Sequence, residues 1–159
     1  MVFGIGRLLA ATIVAVGLTA GSAQAQERMV EGEMASEAIK YRVNVMRAVG
    51  AHMGSIGAIL QGKVENKDDL AAHGAALNGL AGMFGDLFPK GTDGEGSRLK
   101  AAFFDDTEEV AGIIKALEEA GSRLAAAAAA GDMAGVGQNL GAMGQQCAAC
   151  HRPYRAPQS

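Results

Sequence analysis

Apolar residues recur every three or four positions along most of this chain, in four runs separated by three breaks, and that pattern leaves few folds open. The first run extends from about Glu33 to Gly62 and carries Ile39, Val45, Met46, Val49, Met53, Ile56 and Leu60. The second, from about Asp68 to Phe88, carries Leu70, Leu77, Leu80, Phe84, Leu87 and Phe88. The third, from about Phe103 to Ala130, holds Val110, Ile113, Ile114, Leu117 and Leu124, and the fourth, from about Asp132 to Tyr154, holds Met133, Val136, Leu140, Met143 and Cys147. Each is long enough for a helix of about 30–45 Å at 1.5 Å per residue. The breaks are the polar stretch 62–67, the Pro89 to Gly96 segment that cannot continue a helix, and the turn Gly131-Asp132, where Asp132 is a candidate N-cap. Short first and third connections make their neighbours antiparallel. The expected fold is all-α, an antiparallel four-helix bundle.

Composition supports helix over sheet. Aromatics are 4% of the 159 residues, Trp is absent, and Ala, Leu, Met, Glu and Lys dominate after residue 25. Gly50, Gly54 and Gly57 share a face at spacings of four and three; each weakens its helix by about 1 kcal/mol relative to Ala. Such a smooth face serves either a close internal helix contact or a dimer contact, and the sequence does not separate the two. The Ala125 to Ala130 run reads as smooth helix surface.

Residues 1–25 have a different pattern. Arg7 precedes an apolar stretch, Leu8 to Leu18, and Ala23-Gln24-Ala25 is an A-x-A cleavage site. Together they predict an export leader cut before Gln26, leaving residues 26–159 as the mature domain in the periplasm. A retained membrane anchor is the alternative, but the run is short and glycine-rich for a span. No later run has spanning length, so no membrane is expected in the mature form. The net charge of −3 becomes one unit more negative without Arg7. With no strongly basic patch, nucleic acid is an unsuited partner.

Cys147-Ala148-Ala149-Cys150-His151 carries the chemistry. C-x-x-C-H reads as a covalent attachment site for haem c, one group per chain. On a helix, Cys150 and His151 lie three and four residues after Cys147, near one face. Two thiols then reach two vinyl groups while the imidazole meets the iron from the same side, making His151 the axial ligand. Three rivals fit less well. A redox C-x-x-C normally opens a helix after a strand, whereas this one ends a long helical run. Zinc would need four ligands, with only His52 and His73 left to supply them. A disulfide between residues three apart closes a strained ring.

The sixth iron position is open between two readings. Met46 and Met53 are seven residues apart on similar faces, with Arg42 four before Met46. A Met ligand makes a six-coordinate electron carrier; the plainer reading is that both fill core space. His52 is six residues after Met46 and falls on another face.

These residues resemble the cytochrome c′ family. The resemblance rests on Glu37-Ala38-Ile39-Lys40-Tyr41-Arg42, Met46, Gly50-Ala51-His52, Phe88-Pro89-x-Gly91-Thr92, and Cys147-x-x-Cys150-His151 with Tyr154-Arg155 after it, and it covers essentially the whole mature chain. It implies a four-helix bundle, usually a homodimer, with a high-spin, five-coordinate iron held by His151 alone. It further implies Met46 over the distal face, Arg42 near the haem propionates, Arg155 beside the proximal histidine, and the Gly91-Thr92-Asp93 loop near the haem edge. Gly85 and Phe104 stand where members often carry Trp, which predicts a roomier distal pocket. Pro153, two residues after the histidine, predicts a kink that disturbs Arg155. The expected function is binding of a small diatomic gas, NO or CO, and/or electron transfer with a redox partner that the sequence does not identify; it is not that of an enzyme, since no distal acid–base group is foreseen. Low-spin relatives with Met on iron are the alternative.

Overall fold

The computed structural model describes the backbone of residues 19–157 and the side chains of residues 31–157. The first 18 residues of the expected leader lie outside the described residues. Contacts divide the chain after Glu33, and the bundle is built from Met34 onward. Five α-helices are described: α1 (Thr19–Leu60), α2 (Leu70–Ala81), α3 (Ala102–Asp105), α4 (Thr107–Ala129) and α5 (Met133–Tyr154), with single 3-10 turns at Lys67–Asp69 and Phe84–Asp86. The four long helices form the expected all-α four-helix bundle, and α3 is one turn inserted before α4. Among the described residues there is no strand beyond an isolated bridge between Leu99 and Arg155. None of their helices is long and apolar enough to cross a membrane.

Local chemistry sets the helix ends. Glu108 and Glu109 sit in the first turn of α4, where carboxylates offset the positive end of the helix dipole. The Asp132 carboxylate caps α5 by accepting the Gly135 N–H at 2.9 Å. α1 and α4 close alike. Gly62 and Gly131 take φ of +66° and +68°. The Lys63 N–H then donates to Ala58 O at 3.0 Å, and the Asp132 N–H to Ala127 O at 2.9 Å. These are Schellman closures, which glycine adopts without steric cost.

Two boundaries differ from expectation. The second run does not continue as helix to Phe88: α2 stops at Ala81, because Gly79, Gly82 and Gly85 dilute its last turns, and the chain proceeds through a 3-10 turn. The third run breaks at Asp106, whose backbone takes φ −90° and ψ +49°.

Apolar side chains from every long helix meet in one core. Val45, Val49, Ile56 and Ile59 of α1 pack with Leu70 and Leu77 of α2, Leu117 and Leu124 of α4, and Val136 and Met143 of α5. α1 and α2 are also tied by a 2.8 Å hydrogen bond between the Nδ1 atoms of His52 and His73, whose ring centroids are 5.1 Å apart. Their Nδ1 atoms therefore face each other nearly head-on, one donating and one accepting.

The closest helix contact is not where the glycine pattern pointed. A Cβ added at Gly50 or Gly54 meets nothing within 4 Å, and at Gly57 only the flexible Gln61 side chain, so this stripe is no internal packing face. The close approach is between α2 and α4. A Cβ at Gly74 would stand 2.9 Å from Ala128 Cβ and 3.2 Å from Ala125 Cα, and one at Gly121 would stand 3.2 Å from Ala81 Cβ. Gly74→Ala is therefore expected to lower stability by about 1–3 kcal/mol through overpacking. Gly54→Ala is expected to raise it by about 0.5–1 kcal/mol through helix propensity. Denaturant midpoints of the two holoprotein variants should move in opposite directions.

Candidate functional site

The last turns of α5 present Cys147, Cys150 and His151 to two adjoining cavities. The outer, about 450 Å³, is bordered by Ile39, Arg42, Val43 and Met46 of α1, by residues 96–99, and by Tyr154 and Arg155. The inner, about 310 Å³, lies deeper, among Val49 and Met53 of α1, Phe84, Phe103, and Val110, Ile114 and Leu117 of α4. Met46, Phe88, Cys150, His151 and Arg155 border both. Volumes of this order are those of cofactor pockets, roughly 300–1,000 Å³. A bundle packed throughout would have filled this space with its own side chains.

Aromatic residues prop the opening. Phe88 and Phe103 have ring centroids 4.4 Å apart, and Phe103 meets Tyr154 edge-on at 5.7 Å. Tyr154 is 1% exposed, and its hydroxyl donates to Asp106 Oδ2 at 3.0 Å. Asp106 thus spends its carboxylate on Tyr154 and makes no cap bond to α4. Burial first, then this bond and the charges of Asp106 and Glu109, push the phenol up to about 12.

Pro153 lies within α5, yet the helix runs on to Tyr154. Arg155 then turns extended, with φ −109° and ψ +125°. Its N–H still donates to His151 O at 3.2 Å, and the chain leaves the helix only there, just after the Pro153 expected to disturb it. Arg155 bridges Leu99. The Lys100 N–H donates to Tyr154 O at 2.9 Å, and the Ala156 N–H to Arg98 O at 2.8 Å. This two-stranded clasp still leaves Arg155 on both cavities.

Arg42 stitches α1 to the loop after Pro89. Its guanidinium donates to Thr92 Oγ1 and Thr92 O at 2.7 Å each and to Ser97 Oγ at 2.9 Å, and lies 5.4 Å from the Phe88 ring centroid. The Thr92 hydroxyl donates to Pro89 O at 2.7 Å. Burial lowers the Arg42 pKa while the Asp93 charge raises it. Buried polar groups persist only when bonded, and this one is bonded three ways. Thr92 and Asp93, expected near the haem edge, border neither cavity; Thr92 acts through Arg42, and Asp93 by its charge.

Burial of the two cysteines suits thioether formation rather than thiolate–metal binding. Cys147 and Cys150 are free thiols. Burial raises the pKa of both; Cys150 is further raised by Cys147 and partly lowered by Arg155. Burial, then the charges of Arg155 and Arg98, lower the His151 pKa, which favours the neutral imidazole that binds metals. Two protonated thiols and a neutral imidazole beside a mainly apolar void fit haem c.

Sequence reasoning missed Ser97, Arg98 and Leu99, which no motif marks. Gly85 and Phe104 do not enlarge the cavities at His151. They border a separate groove of about 360 Å³ on the other side of Phe88 and Phe103.

A four-helix bundle whose last helix turns a C-x-x-C-H motif toward such a void defines a bundle-type c-type cytochrome. The family model for cytochrome c′ matches residues 37–155; the chain belongs to the cytochrome c′ family, which binds haem c. The cytochrome c′ of Rhodospirillum rubrum is 33% identical over 119 residues, covering 74% of this chain and 81% of that protein. A solved cytochrome c′ with ligand-controlled dimer dissociation superposes with a TM-score of 0.72 at 32% identity, covering 77% of this chain and 97% of its own. A nitric oxide complex of an Alcaligenes xylosoxidans cytochrome c′ variant superposes with a TM-score of 0.71 at 26% identity, covering 78% and 97%.

Tyr154 provides a pH test. Its folded pKa of about 12 exceeds the ordinary value of 10, so the native state holds the proton longer than the unfolded state. That contribution is complete below about pH 10 and is lost as pH rises toward about 12. The holoprotein is expected to lose stability across this window, and Tyr154→Phe to flatten the loss. Urea midpoints at pH 9 and pH 11 measure both.

Proposed function

We propose that the chain is an exported, periplasmic mono-haem cytochrome that takes up a small uncharged gas. In this reading residues 1–25 are a cleaved leader, Cys147 and Cys150 would hold the haem through thioethers, and His151 would bind its iron. The bound group would supply an iron able to take NO or CO. The chain's own residues do the rest. His151, drawn toward its neutral form, offers a lone pair. The aromatic prop of Phe88, Phe103 and Tyr154 keeps α5 from closing the void. Arg42, anchored to Thr92 and Ser97, stands at the outer cavity where the haem carboxylates need a cation.

The observation that carries this reading is the state of the remaining histidines. His52 and His73 bond to each other and border neither cavity. The inner cavity offers carbon, Met46 and Met53 sulfur, Gln146 and Arg155. A lining of that kind admits a neutral diatomic, and a nitric oxide complex is known for a variant of the Alcaligenes xylosoxidans relative. The lining includes no second imidazole.

A second reading has its own support: Met46 borders both cavities together with His151. A Met46–iron bond would give a low-spin electron carrier. The homodimer inferred from the family is assigned to the open Gly54–Gly57 part of the α1 stripe, since Gly50 borders the inner cavity; dimer dissociation under ligand control is known for one solved relative.

Optical and EPR spectra of ferric and ferrous holoprotein, with and without CO, decide between the two readings. A high-spin spectrum and a ferrous form that takes up CO are expected. A low-spin spectrum indifferent to CO, converted to high-spin by Met46→Ala, would transfer the protein to the electron carriers.

A further inference from the structure

Charge is unevenly distributed on this acidic chain. It carries a net −3, yet Arg42, Arg47, Arg98 and Arg155 all border the outer cavity and no Asp or Glu does. Among the described residues the ion pairs within 4 Å are Lys40–Glu37 and Arg123–Glu119, so none of these four guanidinium groups has a carboxylate at that range. Their hydrogen bonds go to neutral groups. Arg42 bonds Thr92 and Ser97, Arg98 donates through Nε and Nη2 to Ala156 O, and Arg47 leans at 3.4 Å on Asn44 Oδ1. Asp93 is the acid whose charge reaches Arg42.

Haem c brings two carboxylates, which neutralise at most two of the four. Arg42 is buried, while Arg47, Arg98 and Arg155 are less enclosed and come from three separate segments: α1, the loop before α3, and the clasp after α5. Ile39, Leu99 and Val43 border the same cavity, Ile39 buried and Val43 38% exposed. Exposed arginines beside apolar side chains suit a protein contact better than a small-anion site.

We propose that the mouth of the outer cavity is a docking surface for a redox protein with an acidic face. The inference rests on haem c occupying the cavities, and it stands whether or not iron binds gas. With haem c held by Cys147, Cys150 and His151, a reduced partner docked there would give up one electron to that group, with no proton or atom transferred. Charge complementarity selects the partner and speeds encounter.

The test uses ferrous holoprotein, verified by its optical spectrum, and two small oxidants of opposite charge, ferricyanide and tris(phenanthroline)cobalt(III). Net charge predicts that lowering the salt slows ferricyanide and speeds the cobalt complex. The local field predicts the reverse. From about 200 to about 10 mM salt, the ferricyanide rate should rise on the order of tenfold and the cobalt rate should fall. Arg47→Glu, and Arg47→Glu with Arg98→Glu, should abolish or invert that dependence. The same charge change at Lys63 and Lys67, which border none of these cavities, should leave it intact. Polyglutamate should compete with ferricyanide at low salt in the parent and not in the double variant. A ferricyanide rate that falls at low salt, or arginine variants that match the lysine controls, overturns the proposal. So does a salt effect on ferricyanide without polyglutamate competition, which would make the mouth a small-anion site. CO uptake, measured on the same samples, reports separately on the gas reading.

Discussion

The structure depends on a gradient of packing along α4. At one end α2 and α4 approach until Gly74 and Ala128 leave no room for a single methyl group. About 27 Å further along α4, at Val110, α2 has ended and the void beside His151 opens among α1, α4 and α5. A bundle of uniform side chains would collapse evenly. This one is pinned at the glycine end and propped at the other by Phe88, Phe103 and Tyr154.

The propped end has three fastenings made of different interactions. The Tyr154 hydroxyl holds Asp106, the residue at which the third helical run breaks. The backbone clasp of residues 98–100 with 154–156 fixes where α5 ends. Arg42 holds the loop after Pro89 to α1. Each joins segments more than 45 residues apart in sequence. The geometry of Cys147, Cys150 and His151 is therefore a property of the whole bundle, although the motif itself spans five consecutive residues.

Much of this was legible in the sequence. Periodicity placed the four runs, Gly62 and Gly131 marked two helix ends, and Asp132 was recognisable as a cap. The C-x-x-C-H spacing pointed to the cofactor. Other features left no such trace. The early end of α2 is written in Gly79, Gly82 and Gly85, but an apolar run that keeps its spacing through Phe88 masks it. The break at Asp106 had a signal in Asp-Thr-Glu-Glu, which puts an N-cap residue type before an acidic first turn of α4. The head-on contact of His52 and His73 joins two runs by tertiary packing alone, and Ser97 and Arg98 acquire their roles only once the loop is folded back. The glycine stripe of α1 shows the limit most plainly. Spacing reveals which residues share a face, while what faces them is decided by the rest of the molecule.

The voids beside His151 also give the protein a volumetric character. Void that unfolding eliminates makes unfolding a compression, so pressure favours the unfolded chain in proportion. Cavities of about 450 and 310 Å³ concentrated at one end make that end the compressible part of the bundle. Filling them with a rigid planar group turns empty volume into interior. The cofactor is then a core residue in all but origin, and much of what holds this half of the bundle together is contributed by a molecule the gene does not encode.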